Sequence, residues 1–116
     1  MRTNSFIGLK VWCKAIDLAE KVYKEIDYQK DFNFKNQITK ATISISNNIA
    51  EGQSRGTKKE FSQFLRYAYA SSNEVISMLF LAERLEYIDN QQKESLINAC
   101  EEINKVLFGL KKSLNT

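Results

Sequence analysis

The sequence has no histidine and no proline, and only four glycines and two cysteines among its 116 residues. Each scarcity closes off a class of protein. Without histidine there is no usual general base, no Ser-His-Asp triad and no member of the commonest class of transition-metal ligand. The Glu-x-x-His pairs of a ferritin-like di-iron bundle are missing for the same reason. Cys13 and Cys100 are too few for a zinc site and lie far apart in sequence, so they read as buried or half-buried thiols of a reducing cytosol. A bridge between them would require the first and last helices to place them side by side. The shortage of glycine and proline argues against a turn-rich sandwich or barrel and for a few long helices with short loops.

Other signals are also missing. No stretch approaches the roughly 20 apolar residues that span a bilayer. The opening MRTNSFIGLK has no long apolar run, so no secretory signal is read there. A cytoplasmic location without a membrane partner is expected. The only glycine-rich run, Glu51-Gly52-Gln53-Ser54-Arg55-Gly56, lacks the Lys-Ser/Thr ending of a phosphate-cradling loop. No cofactor, no metal and no catalytic residue is expected. An all-carboxylate combination of Glu51, Glu74 and Glu101 is the metal arrangement left to weigh against that expectation.

What is present is an ordinary globular balance, 43% hydrophobic and 27% charged, with a net charge of +3. The length fits one domain, residues 1–116, large enough to bury a core without staples. Four segments carry helical periodicity, at about 9–28, 34–51, 58–87 and 90–114. In the first, Val11, Ala15, Leu18 and Val22 form one stripe, and Trp12, Ile16, Ala19, Tyr23 and Ile26 form another beside it. In the second, the stripe is Phe34, Ile38, Ala41, Ile45 and Ile49. In the third it is Phe61, Leu65, Ala68, Ser72, Val75, Leu79 and Ala82. In the fourth it is Leu96, Cys100, Ile103, Leu107, Leu110 and Leu114.

End signals agree with these bounds. Gly52 reads as a left-handed cap closing the second segment. Thr57 with Glu60, and Asp89 with Gln92, read as capping boxes opening the third and fourth. Gly109 reads as a flaw in the last helix that would permit close packing. Short connections between amphipathic helices favour an all-α, antiparallel, up-down-up-down four-helix bundle. The apolar faces of the first and third helices are wider than one core needs. Exposed Trp12, Tyr67, Tyr69 and Phe80 would be costly on a monomer and suggest self-association.

Three polar groupings remain. Ser44, Asn48 and Glu51 share one face of the second helix, and Ser71 and Glu74 share one face of the third. If the two helices are antiparallel neighbours, these faces meet. They would form either a structural hydrogen-bonded network that fixes register or a ligand site, and the structural reading is favoured. The third grouping is basic, with Arg55, Lys58, Lys59 and Arg66 against only Glu60 between 53 and 72. It reads either as solvated surface or as a phosphate contact at the positive end of the third helix.

The same residues carry a family likeness. Ser44 to Gly52, reading S-I-S-N-N-I-A-E-G, resembles the S-I-P-S-N-I-A-E-G signature of the bacterial four-helix-bundle family encoded in 23S rRNA intervening sequences. Leu9-Lys10-Val11-Trp12 with Lys14-Ala15 resembles the family's opening, and Gln37-Ile38 with Lys40-Ala41 its Q-I-x-R-A element. Ala68 to Glu74 resembles A-x-G-S-x-x-E, and Phe108-Gly109-Leu110 with Leu114 resembles the closing G-L-x-x-L. The likeness covers nearly the whole chain. It departs at Ser46, where the family has Pro and the second helix should therefore be straighter here. It departs also at Lys40 for an Arg, and at Ala70 and Glu86, each for a Gly.

The resemblance implies a four-helix bundle assembled as a ring-like homopentamer and associated with ribosomal RNA genes. It also implies kinship with the accessory variability protein of diversity-generating retroelements, a pentameric bundle that binds nucleic acid and a reverse transcriptase. The resulting expectation is a non-enzymatic oligomer that binds RNA or DNA through Lys40, Arg55, Lys58, Lys59 and Arg66. The alternative is a protein-interaction scaffold working through the acidic stretch 83–102 and exposed aromatics.

Overall fold

The computed structural model describes residues 6 and 9–115. Four helices account for most of them: α1 (Lys10–Glu25), α2 (Phe32–Ser54), α3 (Lys58–Arg84) and α4 (Asn90–Ser113). No strand occurs among the described residues. Each helix packs against its sequence neighbours, and α4 closes back on α1, while the backbones of the diagonal pairs stay apart. Cross-helix pairs run in opposite senses: Lys14 meets Glu102 and Lys21 meets Ser95. The bundle is therefore antiparallel and up-down-up-down, about 44 Å long. One pole holds the starts of α1 and α3 and the ends of α2 and α4.

The core follows from the stripes. All seven positions from Phe61 to Ala82 on α3 are buried, as are Val11, Ala15, Leu18 and Val22 on α1 and the five positions of α2. On α4, Leu96, Cys100, Ile103 and Leu107 are buried, with Leu110 and Leu114 half-buried at the pole. Replacing a fully buried residue such as Leu65 or Ile45 by Ala would cost about 2–5 kcal/mol. Burial without a strong partner pushes the Cys100 thiol up to about 12. No disulfide joins Cys100 to Cys13, which is exposed on α1. Ser72, the polar member of the α3 stripe, makes a long hydrogen bond of 3.5 Å to the Cys100 carbonyl.

The second stripe of α1 is only partly inside. Ile26 is buried, whereas Ile16 and Tyr23 are exposed. Trp12 is not exposed as expected; it is half-buried, packed on the core and edge-on to Phe6. Tyr67, Tyr69 and Phe80 are exposed.

Helix ends depart from the sequence reading in four places. First, α1 stops at Glu25, and residues 26–28 form a turn rather than helix. Second, α2 starts earlier, capped by Asp31, whose carboxylate accepts the Phe34 N–H at 3.1 Å. It runs unbroken through Ser46, whose N–H a proline would lack.

Third, Gly52 is not a left-handed cap: α2 continues past it to Ser54. A Cβ built on Gly52 would lie 2.6 Å from Phe64 Cβ and 3.0 Å from Phe61 Cδ1, so this glycine allows α2 and α3 to approach. The left-handed glycine is Gly56, at φ 90° in the loop.

Fourth, α3 ends at Arg84 in a Schellman turn, with Tyr87 N–H to Ala82 O at 2.8 Å and Glu86 N–H to Glu83 O at 2.9 Å. Glu86 occupies the left-handed position at φ 62°. The Asp89–Gln92 capping box is complete. At Thr57 only half forms: Thr57 Oγ1 accepts the Glu60 N–H, while the Glu60 carboxylate takes the Thr57 hydroxyl and Arg55.

Candidate functional site

The α2–α3 seam brings part of the polar grouping together. Ser44 Oγ and Ser71 Oγ are 2.8 Å apart, and the Asn48 side-chain amide donates to the Ser44 carbonyl at 2.8 Å and to its hydroxyl at 2.9 Å. These three residues are half-buried and satisfy one another, which is the behaviour of a register-fixing network. Glu51 and Glu74 do not join it. Glu51 turns to Arg55, one helical turn on, and Glu74 is exposed. Their separation also removes the all-carboxylate cluster. Among the described residues no group of three or more His, Cys, Asp or Glu is placed to hold a metal ion.

The five candidate cations divide into three settings. Arg55 is engaged by three partners: its Nε donates to Glu51 at 2.9 Å, its Nη1 to Glu60 at 3.4 Å, and its guanidinium lies 4.8 Å over the Phe64 ring. The Glu51 hydrogen bond, helped by both carboxylate charges, raises its affinity for the proton. Arg55 therefore ties the α2–α3 loop down. Lys40 is exposed in the first half of α2, on a shallow groove it shares with Tyr23, Ser44, Asn48 and Arg55. Lys58, Lys59 and Arg66 form the third setting. They line one groove of about 400 Å³ at the pole, together with Lys111 near the end of α4.

Lys111 was missed in the sequence because it lies about 50 residues from Lys58. The only signal was the expected antiparallel topology, which puts the end of α4 beside the start of α3. Physically the pair of ends is asymmetric. The α3 N-terminus offers unpaired N–H groups and a positive dipole end. The α4 carbonyls at the same pole are offset by Lys111 and Lys112 in its last turn. Among the described residues no carboxylate lies within ion-pair distance of Lys58 or Lys59, unlike Lys14, Lys24, Lys35 and Lys93.

A second groove of about 310 Å³ continues from the first and is lined by Leu65, Arg66, Tyr69, Leu107, Phe108 and Lys111. Arg66 and Lys111 border both grooves. No helix of the described residues is long and apolar enough to cross a membrane.

Comparison with known proteins adds a family. The model of the 23S rRNA-intervening sequence protein family matches residues 8–109. A crystal structure of a protein with unknown function, from the S23 ribosomal protein family of Bacteroides thetaiotaomicron VPI-5482, superimposes with a TM-score of 0.81 at 34% identity, covering 88% of this chain and 98% of that one. No curated protein matches the sequence.

Proposed function

The chain belongs to the 23S rRNA-intervening sequence protein family, and from that membership and its basic pole we propose that it is a non-enzymatic, self-associating bundle of the cytoplasm that binds RNA or other nucleic acid. The observation that carries this reading is the convergence of Lys58, Lys59, Arg66 and Lys111 on one groove at the positive end of α3. Such contacts position a phosphate backbone and carry little sequence information. Lys40 lies away from this groove along α2, and Arg55 already donates to Glu51 and Glu60, so this reading rests on the other cations rather than on these two.

Self-association draws on the exposed apolar surface of α1 and α3, where Ile16, Tyr23, Tyr67 and Phe80 stand in solvent. The family resemblance implies a ring of five. Solution mass by light scattering tests that number directly.

Binding to a 23S-derived RNA hairpin, followed by fluorescence anisotropy, tests the rest. About four phosphate contacts predict a loss of roughly 50- to 150-fold in affinity between 50 and 200 mM salt. Lys58→Glu, Lys59→Glu and Lys111→Glu together should abolish binding at low salt. A wild-type protein that retains no RNA at low salt would sink the reading.

One feature favours the scaffold alternative. Phe80, Leu81 and Leu85 are exposed together at the end of α3, at the pole that also carries Glu83, Glu86, Asp89 and Glu94. A protein partner captured from lysate that survives nuclease treatment would support this second reading over the first.

A further inference from the structure

We infer that the basic pole selects single-stranded over double-stranded nucleic acid, because the apolar groove between α3 and α4 places Phe108 and Tyr69 as stacking platforms for unpaired bases beside the phosphate-binding cations. The inference rests on the phosphate-binding reading of the same pole and names the substrate class that the groove accepts.

Phe108 is the most exposed large apolar side chain on the molecule among the described residues, at 73%, and Tyr69 stands 49% exposed. Neither makes a ring contact with another aromatic of the bundle. Both border the groove whose floor is Leu65 and Leu107 and whose rim is Arg66 and Lys111. The rim cations are shared with the phosphate groove holding Lys58 and Lys59. From Lys58 to Tyr69 the path along α3 is about 16 Å at 1.5 Å per residue, long enough for a few nucleotides.

Aromatic faces interleaved with cations are the arrangement that holds single strands. The base supplies a π-face and the backbone supplies charge, whatever the sequence. A duplex can use the cations but not the platforms, because its bases are stacked inside the helix. Charge complementarity at the rim also argues against a basic or apolar peptide as the occupant.

The test compares two fluorescein-labelled probes of equal length, an oligo-U strand and a mixed-sequence RNA duplex, in anisotropy titrations at matched salt concentrations of about 50, 100 and 200 mM. The wild type should bind the single strand more tightly. Phe108→Ala should weaken single-strand binding by about tenfold, the loss of one stacked base, with the duplex and the salt slope unchanged. Phe108→Trp should hold or improve single-strand affinity. Tyr69→Ala should repeat the Phe108→Ala pattern.

Three outcomes overturn the inference. In the first, the duplex binds equally well or Phe108→Ala falls equally on both probes; the phosphate reading then survives alone. In the second, Phe108→Ala changes the solution mass and leaves single-strand affinity intact, which assigns the groove to a second copy of the chain. In the third, neither probe binds at low salt, and both readings fail together.

Discussion

Gly52 on α2 and Phe64 on α3 approach so closely that a Cβ added to the glycine would lie 2.6 Å from the Phe64 Cβ. The obstructing atom is anchored to the α3 backbone and cannot swing aside. A glycine inside a helix normally costs about 1 kcal/mol relative to alanine. Here the usual gain from Gly→Ala is outweighed by overpacking, which costs about 1–3 kcal/mol. Gly52→Ala should therefore destabilise the bundle and lower Tm by roughly 4–8 °C. Gly109 is the internal control. It is exposed on α4 and nothing lies within 4 Å of its added Cβ, so Gly109→Ala should raise Tm. Thermal melts of the two variants should move in opposite directions.

Glu86 supplies the opposite case, a side chain where glycine fits better. It sits at φ 62° as the left-handed residue of the turn that ends α3. That conformation costs an L-residue roughly 1–2 kcal/mol, and glycine nothing comparable. The turn's two hydrogen bonds, from Tyr87 and Glu86 N–H, use backbone alone and survive substitution. Glu86→Gly should raise Tm by a few degrees, and Glu86→Val should lower it. Denaturant midpoints at constant m-value check both.

At the far pole, Asp31 caps α2 and accepts the Tyr87 hydroxyl at 2.6 Å. Tyr28 in turn donates its hydroxyl to the Tyr87 carbonyl. The Tyr87 hydrogen bond, then the Phe34 N–H, hold the Asp31 carboxyl below its usual range. A depressed folded-state value means that the ionised carboxylate stabilises the fold above the unfolded value, about pH 4. That stability is lost as pH falls through the lower, folded value. Asp31→Asn keeps a capping side chain but removes the charge. The wild type should therefore be the more stable at pH 7, and the gap should close as the pH is brought below 3. A gap that stays constant from pH 7 to pH 2.5 would contradict the assignment.

How far these features were legible in the residues depended on what each required. The seven-residue stripe of α3 was readable because burial on a helix follows a 3.6-residue period and every member except Ser72 is apolar. Gly52 was misread because a glycine after a periodic run looks the same whether it ends a helix or lets another helix approach. Only the partner, Phe64, separates the two meanings. The Asp31 cap was hidden among polar neighbours, several of which cap equally well. Ser44, Asn48 and Ser71 were readable as a facing set, whereas Glu51 was claimed by Arg55 through the i,i+4 spacing that any helix offers. The basic groove needed Lys111, which only the antiparallel return of α4 brings to Lys58.

The division of labour between Arg55 and Lys58 gives the last prediction. Both are cations at the same pole and read alike in sequence. Arg55 is held by Glu51, Glu60 and the Phe64 ring, while Lys58 lines the open groove. If phosphate contact is what binds nucleic acid, each lost contact should reduce the slope of log affinity against log salt by about 0.7 on a single strand. Lys58→Gln and Lys111→Gln should each show that change with melting temperature nearly constant. Arg55→Gln should do the reverse, leaving the slope unchanged and lowering the melting temperature, because it releases two carboxylates and uncovers the Phe64 face. A reduced salt slope for Arg55→Gln without loss of stability would move Arg55 into the interface and redraw the site toward α2.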